Sequence, residues 1–187
     1  RQWKKPREFH VEVTKGYGFD TRNDWVLMPS ILPSMEMRIL RLASTRRVEG
    51  IDVPEGFPVK KKAVDIPANS VAKILLDQSV LTNAYPTLIF SGGKNSTVVL
   101  TYAEALYDHN WTKGNRDEIE GKFIFGRQDT IISNGMKNQN FTTLNWRTYR
   151  YLEIKVETKE EPLTIDDIYG TFTGYPFELK AKLESES

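Results

Sequence analysis

The chain has 187 residues, 26 basic and 25 acidic for a formal net charge of +1, and no cysteine. That length suits one large domain, or one domain with an extension, and the missing thiols exclude disulfides, thiolate metal sites and cysteine nucleophiles. The even charge balance, with Lys60-Lys61-Lys62 as its densest basic run, provides no groove for nucleic acid, and no apolar stretch approaches the ~20 residues of a membrane helix.

The chain opens at Arg1-Gln2-Trp3 without an initiating Met or a signal-peptide pattern, and reads as a mature or excised segment. "NDWVLMPSILPSMEMRIL" carries Pro29 and Pro33, which disfavour a helix and predict an extended, surface-following segment. "GIDVPEGFPVKKKAVDIPANS" adds loop and edge-strand material. Residues 1–65 are therefore expected to form an extended N-terminal segment with edge strands.

Beyond residue 65 the pattern becomes short apolar stretches with β-branched residues, punctuated by Gly, Pro and Asn. That pattern marks an all-β protein rather than βαβ units. "SVAKILLDQ" predicts one strand, with Val71, Lys73 and Leu75 alternating with Ala72, Ile74 and Leu76. "PTLIF" predicts a second, ended by Ser91-Gly92-Gly93. "SGGKNST" lacks the spacing of a phosphate cradle and opens no helix, so it reads as a hairpin turn. "STVVLTYAEALY" is the longest expected strand, its continuous apolar start suiting cover on both faces. "KFIFG" and "DTIIS" predict two short strands around Gly126-Arg127-Gln128, and Asn134-Gly135 supplies a turn.

"NWRTYRYLEIKVE" alternates cleanly. It places Trp146, Thr148, Arg150, Leu152, Ile154 and Val156 on one face, and Arg147, Tyr149, Tyr151, Glu153 and Lys155 on the other. "PLTIDDIYGTFTGYPFEL" adds one or two strands interrupted at Gly170 and Gly174. The fold class is thus all-β: an antiparallel β-sandwich or jelly roll over residues 66–178. The charged tail "ELKAKLESES" makes residues 179–187 the start of a linker.

Chemistry concentrates in "LTYAEALYDHNWTKGNRDEIEG", where acids, amides and a histidine crowd into one stretch. Glu104 with Asp108, or Asp117 with Glu120, are the nominal carboxylate pairs for glycoside hydrolysis. A chain with 25 acids produces such pairs anywhere, and a half-buried Glu104 paired with Arg147 or Arg150 is the structural alternative. Asp108, Asn110, Asn115 and Asp117 are oxygen ligands of the type Ca²⁺ accepts. Their spacing is not that of an EF-hand, Lys113 and Arg116 sit among them, and an ordinary polar turn accounts for them equally. His10 and His109 belong to no catalytic pattern. Trp111 is the best candidate for an exposed aromatic, the type that stacks on sugar rings. Trp146, Tyr149 and Tyr151 lie on a strand, where filling a core or an interface is the default. The expected site residues are Trp111, Asn110, Asn115 and Arg116 for carbohydrate, and Asp108 and Asp117 for a metal.

"IPANSVAKILLDQSVLTNAYPTLIFSGGKNSTVVLTYAEALYD", "KGNRDEIEGKFIFGRQD" and "WRTYRYLEIKVET…PLTIDDIYGTFTGYPFE", in that order, resemble the β-sandwich region of bacterial α-L-rhamnosidases. The resemblance implies a concanavalin-like or galactose-binding-like accessory domain. In that family the general acid and base lie on a downstream α/α barrel, so the resemblance brings no catalytic residue onto this chain. It implies a fragment inactive by itself, packed against the barrel and an upstream domain of one parent polypeptide in the periplasm or outside the cell. The alternative is an autonomous module binding rhamnose-containing glycans. No cofactor is implied beyond Ca²⁺, which a related rhamnose-binding module holds in a sandwich loop.

Overall fold

The computed structural model describes Lys5, residues 29–178 and residues 180–184. Expectations for His10 and for residues 23–28 lie outside this set, as do Leu179 and residues 185–187 of the expected linker. The chain divides into two compact units, Arg1–Ser34 and Met35–Ser187. In the first, the Ser30 hydroxyl oxygen accepts a hydrogen bond from the Leu32 amide at 3.1 Å, closing a small bend.

The second unit is built from nine antiparallel strands, with no helix among the described residues. They are β1 (Glu36–Leu40), β2 (Ser44–Glu49), β3 (Val64–Ile66), β4 (Val71–Gly92), β5 (Thr97–Ala103), β6 (Arg127–Ile132), β7 (Gln139–Thr142), β8 (Arg147–Glu157) and β9 (Leu163–Gly174). The main path runs β1-β9-β4-β8-β5-β6, with β2 and β7 also paired to β4 and β3 to β9. β1, β2 and β3 each pair with one strand only: β1 and β3 with β9, and β2 with β4.

β4 decides the architecture. The two strands expected at "SVAKILLDQ" and "PTLIF" are one strand of 22 residues. Its register against β8 jumps between Asp77 and Thr82, where Ser79 adopts φ +70°. Such an insertion bends a strand and increases its twist. Before the bend, β4 sits between β2 and β8. After it, β4 stays paired with β8 through Ala84 and pairs with β9 and β7. One strand therefore serves two layers, and the layers close on a single apolar core.

Ala72, Ile74 and Leu76 from the first half of β4 meet Leu88 and Phe90 from its second half in this core. Val98 and Leu100 of β5 and Ile165 and Ile168 of β9 join the same cluster. The fold is a β-sandwich. Each buried side chain of this size contributes roughly 1.5–3 kcal/mol relative to exposure.

Several local expectations change for the same reason. "SGGKNST" is a tight turn, with Gly92, Gly93 and Asn95 at positive φ, but it is no hairpin: β5 pairs with β6 and β8 and not with β4. "KFIFG" forms a single bridge, Phe123 to Tyr107, and β6 starts at Arg127 where a turn was expected. Asn134-Gly135 does turn, with Gly135 at φ +84°. β9 runs through Gly170, where an added Cβ would lie 3.0 Å from the Tyr149 hydroxyl oxygen and 3.0 Å from the Ala84 Cβ. Glycine there makes room for a buried tyrosine instead of breaking the strand. The clean alternation of β8 slips beside the β4 bend: Tyr149 shares the core with Leu152, Ile154 and Val156, and Tyr151 turns to the opposite side.

Candidate functional site

The polar segment after β5 carries most of the residues that the sequence singles out. It folds back over the outer face of the first layer. Leu106 and Ile119 of this segment pack on Leu75 of β4 and Tyr151 of β8, forming a second small apolar cluster. Apolar residues on the outer faces of two strands are thereby covered, and a long loop without strands of its own is pinned at both ends.

Charge pins it further. Buried Asp77 accepts from Arg46 Nη1 at 2.7 Å and from Arg150 Nε at 3.1 Å. Arg150 also pairs with Asp117 at 2.7 Å, and Arg46 donates to the Asp117 carbonyl at 3.0 Å. Burial acts to raise the Asp77 pKa, but the donors from Arg150, Ser79 and Arg46 outweigh it and hold the carboxyl below the usual carboxylate range. Beside this network the Tyr151 hydroxyl donates to the Arg116 carbonyl at 2.6 Å. Lys122 Nζ donates to the carbonyls of Lys113 and Asn115 at 3.0 and 2.8 Å.

The sequence-selected residues occupy two different places. Asp108, Asn110 and Trp111 make one turn, in which Asp108 Oδ1 accepts the amides of Asn110 and Thr112 at 2.9 and 2.8 Å. Trp111 sits there at φ +61°. Asn115, Arg116 and Asp117 lie on the arm anchored to Asp77 and Tyr151. Asn115 Oδ1 accepts the Asp117 amide at 3.0 Å. Asp108 and Asp117 face different partners, one a pair of amides and the other an arginine. No group of three or more metal-binding side chains exists among the described residues.

Glu104 is exposed and lies 3.8 Å from Lys113. It does not pair with Arg147 or Arg150, which are held by Asp129 and Asp77. His109 is exposed with its ring 6.4 Å from that of Phe123.

Trp111 is 58% exposed and stands edge-on to Phe123 and Phe125, with centroids 5.3 and 5.0 Å apart. Tyr107 completes this aromatic surface at 5.8 Å from Trp111. Edge-to-face packing at these separations is the favoured arrangement for such rings. The aromatic surface leads into a cleft of about 410 Å³ lined by Tyr102, Glu104, Lys113, Phe125, Arg127 and Trp146.

Phe125 and Trp146 are 57% and 56% exposed, so the cleft has two uncovered aromatic side chains. Trp146 was expected to fill a core or an interface, yet it precedes the first residue of β8 and stays in solvent. Phe125 was not singled out, because "KFIFG" reads as an ordinary short strand. Gly126 lets the backbone approach: a Cβ there would lie 1.9 Å from the Tyr102 carbonyl oxygen. Behind the cleft, Arg147 holds Asp129 with two short bonds from Nη2 and one from Nε, at 2.8, 2.9 and 3.0 Å. Burial first, and then the Asp129 carboxylate, keep the Tyr102 hydroxyl protonated far above the ordinary phenol range.

No family model matches this chain, and no curated protein does. Solved structures do resemble it. A GH78 family rhamnosidase of Bacillus sp. GL1 is 15% identical, with 67% of this chain and 12% of that chain covered and a TM-score of 0.48. A rhamnosidase from Klebsiella oxytoca with rhamnose bound is 12% identical, with 75% and 30% covered and a TM-score of 0.49. A fucose-binding module of Streptococcus pneumoniae is 11% identical, with 72% and 98% covered and a TM-score of 0.40. The chain spans less than a third of the length of either rhamnosidase.

Proposed function

We propose that this β-sandwich is a non-catalytic, carbohydrate-binding domain of an exported glycoside hydrolase resembling α-L-rhamnosidases. The observation that supports it is the cleft itself. Phe125 and Trp146 expose aromatic side chains beside the charged groups of Glu104, Lys113 and Arg127. A sugar ring needs both: an apolar face to lie on an aromatic, and donors and acceptors at its edge to hold its hydroxyls. Trp111 extends the aromatic surface and braces Phe125. A larger recess of about 620 Å³, lined by Lys61, Asn138, Asn140 and Asp166, has no aromatic wall.

The test is calorimetric titration of the chain with rhamnose-containing oligosaccharides. Saturable binding is expected, weakened at least tenfold in W146A, equivalent to about 1.4 kcal/mol. Binding to no saccharide would refute the assignment, and hydrolysis of an aryl rhamnoside by this chain would refute its non-catalytic character.

A second role, packing against the catalytic barrel of the parent, is favoured by a separate feature. Met37 and Ile39 of edge strand β1 are 62% and 69% exposed. An M37E/I39E variant is then expected to leave glycan affinity unchanged, and to lower the unfolding temperature only in the longer polypeptide that includes the barrel.

A further inference from the structure

We infer that the cleft beside Trp146 is selective for a sugar carrying a carboxylate, a hexuronic acid residue, with Arg127 as its anion-binding group. This rests on the reading of the cleft as a carbohydrate site and names the class of sugar it takes.

The argument is one of charge balance inside the cleft. Arg147 is neutralised by Asp129 through a bidentate contact. Lys113 is shared between Glu104 at 3.8 Å and the face of Tyr107 at 5.4 Å. Arg127 differs. It lines the same cleft, and among the described residues its guanidinium has neither an ion pair nor a hydrogen bond. β6 holds it in place, pairing Arg127 opposite Tyr102 of β5. The close approach at Gly126 settles the backbone immediately before it.

The chemistry of the ligand follows from that inventory. One uncompensated cation matches one negative charge. A planar guanidinium fork fits a planar carboxylate through two parallel hydrogen bonds, which a lysine could not supply. The aromatic walls select a ring with an apolar face, so the anion must be carried on a sugar rather than arrive alone. A hexuronic acid puts both features in one residue.

The experiment is titration of the purified chain at low and at physiological ionic strength with three probes: a trigalacturonate, its methyl ester, and a sulfated neutral trisaccharide. The acid is expected to bind about fivefold tighter than the ester at low salt, as befits one partly exposed ion pair. That ratio should shrink as salt rises. In R127Q it should fall to near one, and in R127K, which keeps the charge but loses the fork, it should be intermediate; matched melting curves verify that both fold. Equal binding of acid and ester, or an undiminished ratio in R127Q, overturns the inference and leaves the carbohydrate assignment standing. Equal preference for the sulfated probe also overturns it, since the site would then read charge alone. Failure to bind any saccharide, neutral ones included, removes both.

Discussion

Replacing Asp77 by Asn tests how the loop is held to the sandwich. Asp77 is 2% exposed and accepts four hydrogen bonds: one from Arg46, two from Arg150 and one from the Ser79 amide at 2.7 Å. Asparagine keeps one acceptor oxygen and turns the other position into a donor facing a guanidinium. Bonds to charged groups contribute about 1.5–3 kcal/mol each, and opening a buried pair from one side costs about 3–5 kcal/mol. Arg150 retains Asp117, and Arg46 retains the Asp117 carbonyl, so the loss sits at the lower end, about 3 kcal/mol. For a chain of this size that lowers the melting temperature by roughly 6–12 °C.

Urea denaturation at pH 7 reads this as a lower midpoint with an unchanged slope. The pH dependence has a definite sign. The folded state holds the Asp77 carboxyl below its ordinary value, so its stabilisation is present above the normal carboxylate range and is lost as pH falls through the folded value. The deficit of D77N must therefore narrow in acid. A D77N protein within about 0.5 kcal/mol of the parent, the scatter of ordinary surface substitutions, would refute the reasoning.

Ile119→Ala removes one of the loop's two apolar anchors and is expected to cost about 2 kcal/mol. Hydrogen exchange should show the faster opening confined to residues 104–126. Glu153→Gln should raise the urea midpoint at pH 7. Burial lifts this carboxyl's pKa despite Lys73 and Arg47, so its stabilising contribution is fully present below the usual range and is lost as pH rises. The gain should vanish in acid. Gly126→Ala places a Cβ against the Tyr102 carbonyl and should cost about 2 kcal/mol or more, with glycan affinity lost as the cleft wall shifts; an unchanged affinity would show that Gly126 does not shape the cleft.

The sequence alone determined the all-β class, because β-branched runs cut by Gly and Asn can form strands but cannot pattern a helix face. Its alternation placed Ile74 with Leu76, and Ile154 with Val156, on shared strand faces, and it picked out the crowded segment that carries Trp111. Only the tertiary structure decided that Val71–Gly92 is one bent strand shared by two layers, since a bulge is defined by how many residues oppose its partner and not by its own composition. Trp111 was legible as an exposed aromatic, but which aromatics at the strand β8 stay in solvent was not. Trp146 and Tyr149 are three residues apart in one pattern, yet the register slip beside the β4 bend buries one and exposes the other. The cleft joins residues 102–104, 113, 125–127 and 146–148, and no local signal relates them. Proximity between distant segments is set by strand pairing, which the chain acquires only when it folds.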